Sequence, residues 1–151
     1  MIVLSPPMAR SWEKRSLEAG ARMKDLMRQA VDGALLELLP FLPKPGTALV
    51  LLGSGHNGED AALLGIELKR VGWKVEFLLS RSPGKRKHPD PRVKTKFWKK
   101  ALVWPRKPTL FLQADGPRLV IDGILGLGAT PPPRPAEAEM ISWVAGQERG
   151  S

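Results

Sequence analysis

The run Thr47–Leu52, leading into Gly53-Ser54-Gly55-His56-Asn57-Gly58-Glu59-Asp60, leaves this chain few folds to choose from. Continuous apolar residues without alternation predict a strand covered on both faces. The glycines then break the strand, and a helical pattern begins at Asn57. A second stretch of the same kind runs Arg118-Leu119-Val120-Ile121-Asp122 and then Gly123-Ile124-Leu125-Gly126-Leu127-Gly128. Two buried strands that each end in a glycine loop, the second with a carboxylate at its tip, imply a parallel α/β sheet. In such sheets ligands bind beyond the carboxyl ends of the strands, where loops and helix N-termini converge.

The remaining elements fit that frame. Apolar positions Leu17, Met23, Met27, Ala30, Ala34 and Leu38 predict a helix from about Arg10 to Leu39, interrupted near Gly20. Three prolines between Pro40 and Gly46 end it. Asn57–Val71 reads as a helix with Ala62, Ile66 and Leu68 facing inward and Gly72 as its stop, and Trp73–Leu79 reads as the next strand. Strand–helix–strand spacing of about 30 residues is that of a right-handed parallel crossover. Arg81–Pro91 reads as a loop, Val93–Leu102 as a short basic helix, Thr109–Leu112 and Leu119–Asp122 as strands. A proline-rich link, Thr130–Pro135, precedes a last helix over Ala136–Ala145. The expectation is one domain over 1–151, with a helical arm at about 8–40 and a core at about 47–146. Its class is α/β: a three-layer αβα Rossmann-like fold with a largely parallel sheet behind an N-terminal helical arm.

Composition narrows the chemistry. There is no cysteine, which excludes disulfides, thiolate metal sites and thiol nucleophiles, and fits a reducing cytosol. No apolar run approaches the roughly 18–20 residues that span a bilayer, and Met1–Pro7 lacks the basic n-region of a signal peptide. A cytoplasmic protein without a membrane partner is expected. The net charge of +9 is concentrated: Arg81–Lys107 carries eleven Lys/Arg against one acid, Asp90, and the rest is close to neutral. Such a patch attracts phosphates and polyanions.

Gly53-x-Gly55-x-x-Gly58 between a strand and a helix is the setting of a dinucleotide fingerprint, in which helix N-terminal amides receive a phosphate. The next strand should then end in an acid for the ribose hydroxyls; it ends in Ser80-Arg81-Ser82, which suits a 2′-phosphate instead. The alternative is a glycine turn that only permits close strand–helix packing. Asn57 can cap the helix, and Glu59 and Asp60 suit its positive end. Asp122 should face the same crevice, where its oxygens and those of Asn57 could hold a hard cation.

Two readings also stand for the basic segment. Lys85, Arg86, Lys87, Lys94 and Lys96, interleaved with Phe97 and Trp98, offer phosphate contacts and stacking faces to RNA. Alternatively the aromatics turn into the core beneath a solvated lysine face. His56 and His88 lack metal-ligand spacing, and neither Ser54 nor Ser80 sits in a nucleophile elbow.

These stretches, in this order, resemble the NAD(P)H-hydrate epimerase family, the YjeF N-terminal domain. Its signatures are a Gly-Pro-Gly-Asn-Asn-Gly-Gly-Asp-Gly loop and, about sixty residues on, an Asp-Ala-Leu-Leu-Gly-Thr-Gly loop; here they read Gly53–Ala61 and Asp122–Gly128. Leu26-Met27-Arg28-Gln29-Ala30-Val31 stands where the family has Leu-Met-Glu-Asn-Ala-Gly. The resemblance implies interconversion of the R and S epimers of hydrated NADH and NADPH. It implies that Gly55, His56, Asn57, Gly58, Glu59 and Asp60 line the substrate, with Gly126, Leu127 and Gly128 facing the dinucleotide. Asn57 and Asp122 would contact a potassium ion, and Asp122 would be the general acid/base. The expected partners are the dinucleotide and, as further candidates, a second copy of the chain in a homodimer and RNA on the basic segment. Several positions depart from the pattern: Arg28 for Glu, His56 for Asn, Glu59 for Gly and Leu127 for Thr. The family's Asp-x-Pro-Ser-Gly segment would lie beyond Ser151. Reduced or absent catalysis by these residues alone is therefore expected, with a non-catalytic nucleotide- or RNA-binding module as the alternative.

Overall fold

The computed structural model describes residues 3–4, 23–42, 44–53, 55–85, 87–88, 90–124 and 132–149. Among them are strands β1 (Val3–Leu4), β2 (Thr47–Leu52), β3 (Lys74–Leu79), β4 (Leu102–Val103) and β5 (Arg118–Gly123). The helices are α1 (Met23–Leu38), α2 (His56–Arg70), α3 (Thr95–Lys100), α4 (Thr109–Leu112) and α5 (Pro135–Arg149). The strands form one parallel sheet in the order β1-β5-β2-β3-β4.

β2 lies at the centre and every one of its six residues is buried. Successive side chains point to opposite faces, and the core divides accordingly. Ala48, Val50 and Leu52 join Met27, Val31 and Leu38 of α1 and Ala61, Ala62, Leu64 and Leu68 of α2. Leu49 and Leu51 face the other way, toward Leu78, Val120, Phe111 of α4 and Met140 of α5. This is the three-layer αβα arrangement read from the sequence. Met27, Val31 and Leu38 of α1 are spaced by four and seven, as one face of a helix is. Gly72, at φ +100°, turns the chain from α2 into β3, a conformation that side chains with a Cβ rarely adopt.

Strand order decides where a ligand can sit. From β2 the chain moves outward through β3 to β4, then returns to the opposite side of β2 as β5. β2 is therefore the strand at which the order reverses, with β3 on one side of it and β5 on the other.

Three local expectations are corrected. Thr109–Leu112, read as a strand, is the one-turn helix α4: Pro108 opens it, Phe111 alone is buried, and Leu110 is 53 % exposed. The edge strand lies earlier, where the basic helix was extended too far; Leu102 and Val103 pair with Leu78 and Leu79. The pairing of Val3 and Leu4 with Val120 and Ile121 was not foreseen. The helix of the N-terminal arm is described from Met23 only, so its earlier turns and the break at Gly20 lie outside the described residues. The final helix is longer than read, from Pro135 to Arg149.

Candidate functional site

The three central strands are tied together where they end. Asp122 stands opposite Leu51 and Gly123 opposite Leu52 in the β2–β5 register. Gly53 N donates to Gly123 O at 2.9 Å, and Ser80 N donates to Leu52 O at 3.2 Å. The turns after β2, β3 and β5 thus leave from one rigid edge.

The glycines of this edge divide into two kinds. A Cβ on Gly53 would overlap Ile124 O, one on Gly58 would overlap Gly53 O, and one on Gly123 would lie 2.5 Å from the Ala61 side chain. These three are glycine because the chain passes too close there for any side chain, which is the packing reading of the motif. Gly55 differs. A Cβ there would meet nothing within 4 Å, and its φ of −99° and ψ of −171° are open to any residue. It is exposed and N-caps α2 without a side chain. Neither packing nor backbone conformation requires a glycine at this position.

Asn57, Glu59 and Asp60, all half-buried, follow in the first turns of α2, and Gly58 is buried beneath them. The N-cap residue of this helix is Gly55, and no side-chain cap is made from that position, so the cap expected from Asn57 is corrected: Asn57 lies inside the first turn. The backbone of His56 opens the helix. A Cβ on Gly123 would come 3.1 Å from Asn57 O, so the Asn57 backbone lies against the residue next to Asp122. Asp122 is half-buried, and its Oδ1 accepts the Ile124 N–H at 2.9 Å, an Asx turn at the end of β5. Gly126, Leu127 and Gly128 lie outside the described residues. Among the described residues no three His, Asp or Glu side chains gather as a metal site would.

A pocket of about 370 Å³ opens beside this edge, between the ends of β2 and β3. Leu52 and Gly53 form one side of it, Leu79 and the Ser80–Gly84 turn the other.

The basic segment is held by interactions the sequence did not disclose. Asp90, 1 % exposed, receives both Nε and Nη2 of Arg92 at 3.0 Å, and the Arg92 backbone N–H at 2.9 Å. Arg28 of α1 approaches the same carboxylate at 3.7 Å. Arg92 Nη1 also donates to Glu67 Oε1 at 2.6 Å, and Arg70 pairs with Glu67 Oε2 at 2.8 Å. Glu67 is itself buried in α2, so the network links α1, α2 and the turn after β3. The Arg92 guanidinium, through its paired hydrogen bonds, holds the Asp90 carboxyl down at about 2, against the opposing cost of burial. Asp90 in turn raises Arg92. His88 makes a second tether. Its Nδ1 accepts the Asp90 N–H at 2.9 Å, which leaves the proton on Nε2 to be donated to Glu59 O at 2.8 Å. The basic turn is thereby attached to the first turn of α2. The sequence signal for this was Asp90 itself, one acid among eleven cations.

Of the candidate polyanion contacts, Lys85, Lys87, Lys94 and Lys96 are exposed, and Arg86 lies outside the described residues. The aromatics turn inward. Trp98 is 3 % exposed, and Phe97 stacks edge-on against Phe77 at 4.5 Å between ring centres. The stacking faces that an RNA reading needs are spent on the core.

The family model described as YjeF-related protein N-terminus matches residues 23–149. Over 140 residues the chain is 33 % identical to the NAD(P)H-hydrate epimerase of Rhodobacter capsulatus, a match covering 86 % of this chain and 64 % of that protein. It is 36 % identical over 127 residues to the protein of that name from Clavibacter michiganensis, covering 82 % and 52 %. It is 30 % identical over 119 residues to the one from Rhodopirellula baltica, covering 77 % and 48 %. The chain thus spans between about half and just under two thirds of the length of these curated relatives. Among the described residues no helix is long and apolar enough to cross a membrane.

Proposed function

The chain belongs to the YjeF-related N-terminal family, and on that premise we propose that its crevice binds hydrated NADH or NADPH and interconverts their R and S epimers. The observation that carries the reading is Gly55, a glycine at the mouth of α2 that neither packing nor backbone conformation demands. A pyrophosphate seated there meets backbone N–H groups at the positive end of a helix of fifteen residues.

The chemistry asks for a proton carrier on one side of the nicotinamide ring. The hydroxyl at C6 is protonated, the C–O bond breaks with the ring nitrogen stabilising the cation, and water is released. Water then adds to the other face of C6, and its proton returns to the carrier, so the net change is inversion at one carbon. Asp122 is the proposed carrier. Its Oδ1 is oriented by the Ile124 N–H, which leaves Oδ2 for the exchange. Asn57 and Asp122 would offer one amide oxygen and one carboxylate, hard donors of low total charge that suit a monovalent potassium ion. When bound, potassium would supply positive charge beside the dinucleotide, with these two residues holding it.

The test supplies pure R epimer of hydrated NADPH and follows the S epimer by chromatography, with and without potassium. The expected result is conversion above the spontaneous rate, lost by about 100-fold or more in Asp122→Asn. A rate equal to the spontaneous one at every protein and potassium concentration overturns the epimerase reading.

A further inference from the structure

We infer that the turn after β3 is a 2′-phosphate site, and that this chain selects the NADPH-derived form of its dinucleotide over the NADH-derived form. The inference rests on the dinucleotide reading above and adds a discrimination to it. In parallel nucleotide-binding sheets the strand next to the glycine-loop strand carries the group that reads the ribose, an acid for free hydroxyls or an arginine for a 2′-phosphate. Here that strand is β3, paired with β2 along its full length.

Four observations point the same way. The Ser80–Gly84 turn contains no carboxylate, so nothing in it can accept ribose hydroxyl hydrogens as an acid would. The pocket of about 370 Å³ lies between this turn and Gly53, within the size range of small-molecule sites. Arg81 is exposed beside the pocket, and among the described residues it takes part in no ion pair. A guanidinium can bind a phosphate through two parallel N–H···O bonds, and Ser82 adds a hydroxyl.

The turn is also anchored at both ends. Ser80 N is bonded to Leu52 O, while His88 and Asp90 fasten the far end to α2 and Arg92. Between those anchors Arg81, Lys85 and Lys87 are all exposed. The only acid of the segment 81–107 is buried against Arg92, so it does not neutralise them.

The experiment measures binding of adenosine 2′,5′-bisphosphate and adenosine 5′-monophosphate to the full chain by calorimetry, for the wild type and Arg81→Ala. The bisphosphate should bind about tenfold tighter or better, and Arg81→Ala should remove most of that margin while leaving the monophosphate unchanged. Because Arg81 is exposed, the variant should fold, which its melting temperature checks. Equal binding of the two probes, or no binding of either, overturns the inference. Epimerisation of hydrated NADH and hydrated NADPH, run in parallel, separates the two proposals. Equal rates on both forms sink the selectivity and leave the epimerase reading standing. Selective bisphosphate binding without epimerisation of either form upholds the phosphate site and removes the epimerase reading.

Discussion

Two turns leave the same edge of the sheet, one after β2 and one after β3, and they are held in opposite ways. The glycine turn is fixed mainly by backbone against backbone: Gly53 on Ile124, Gly58 on Gly53, and Gly123 on Leu51 and the Ala61 side chain. The basic turn is fixed by side chains, through Asp90, Arg92, Glu67 and His88. The first kind of attachment fails by steric overlap and is indifferent to pH. The second fails by loss of charge and tolerates bulk. His88 joins the two, because its Nε2 donates to Glu59 O in the first turn of α2.

The largest effect should come from adding a methyl group to the glycine turn. Gly53→Ala puts a Cβ where Ile124 O already lies, and a cost of about 3 kcal/mol or outright unfolding is expected in denaturant melts. A fall of less than about 1 kcal/mol would mean the strand ends are not rigidly tied.

Next comes the charge dependence of the basic turn. The Asp90 carboxyl titrates at about 2, below its ordinary 3.8. A depressed acid contributes stability that is fully present above its unfolded value and is lost as pH falls through its folded one. About 2 kcal/mol should therefore disappear between about pH 4 and pH 2. In Asp90→Asn that part of the pH dependence should vanish, with a similar loss already present at neutral pH. An unchanged acid limb in the variant would show that other carboxylates carry it.

Gly55→Ala tests the functional half of the comparison. With open space around its Cβ and an ordinary backbone conformation, stability should change by less than about 0.5 kcal/mol. Binding of adenosine 2′,5′-bisphosphate should nevertheless weaken by about tenfold. Stability lost without a change in binding would return this glycine to the packing set.

The smallest effect belongs to the exposed cations. Lys85→Gln with Lys87→Gln should leave the melting temperature within about 1 °C while flattening the salt dependence of nucleotide affinity. Melting that falls by several degrees would mean these lysines hold the turn rather than serve it.

Elements with a strong local signal could be read from the residues alone. β2 and β5 are apolar on both faces, and α2 carries its stripe between a glycine start and a glycine stop; their bounds fell within a residue or so of those read. That β2 and β5 lie side by side and parallel was also legible, because parallel crossovers leave few ways to order such strands. β3, read as Trp73–Leu79, and the last helix, read as Ala136–Ala145, were legible as well, whereas the short edge strands waited on long-range contacts. Leu102–Val103 and Val3–Leu4 are strands only because β3 and β5 offer them unpaired edges, and two residues hold no periodicity to read. Thr109–Leu112 is apolar enough for a strand, yet it closes one helical turn over β2 and β3. The separation of Gly55 from its three neighbouring glycines emerges only once the atoms around each are known. Asp90 could be noticed in the sequence but not placed, since its burial depends on Arg28 and on an Arg92 that Glu67 holds in turn, and these converge only in the fold. A charge can be buried only where its counter-charges meet it, and long-range convergence has no trace in local pattern.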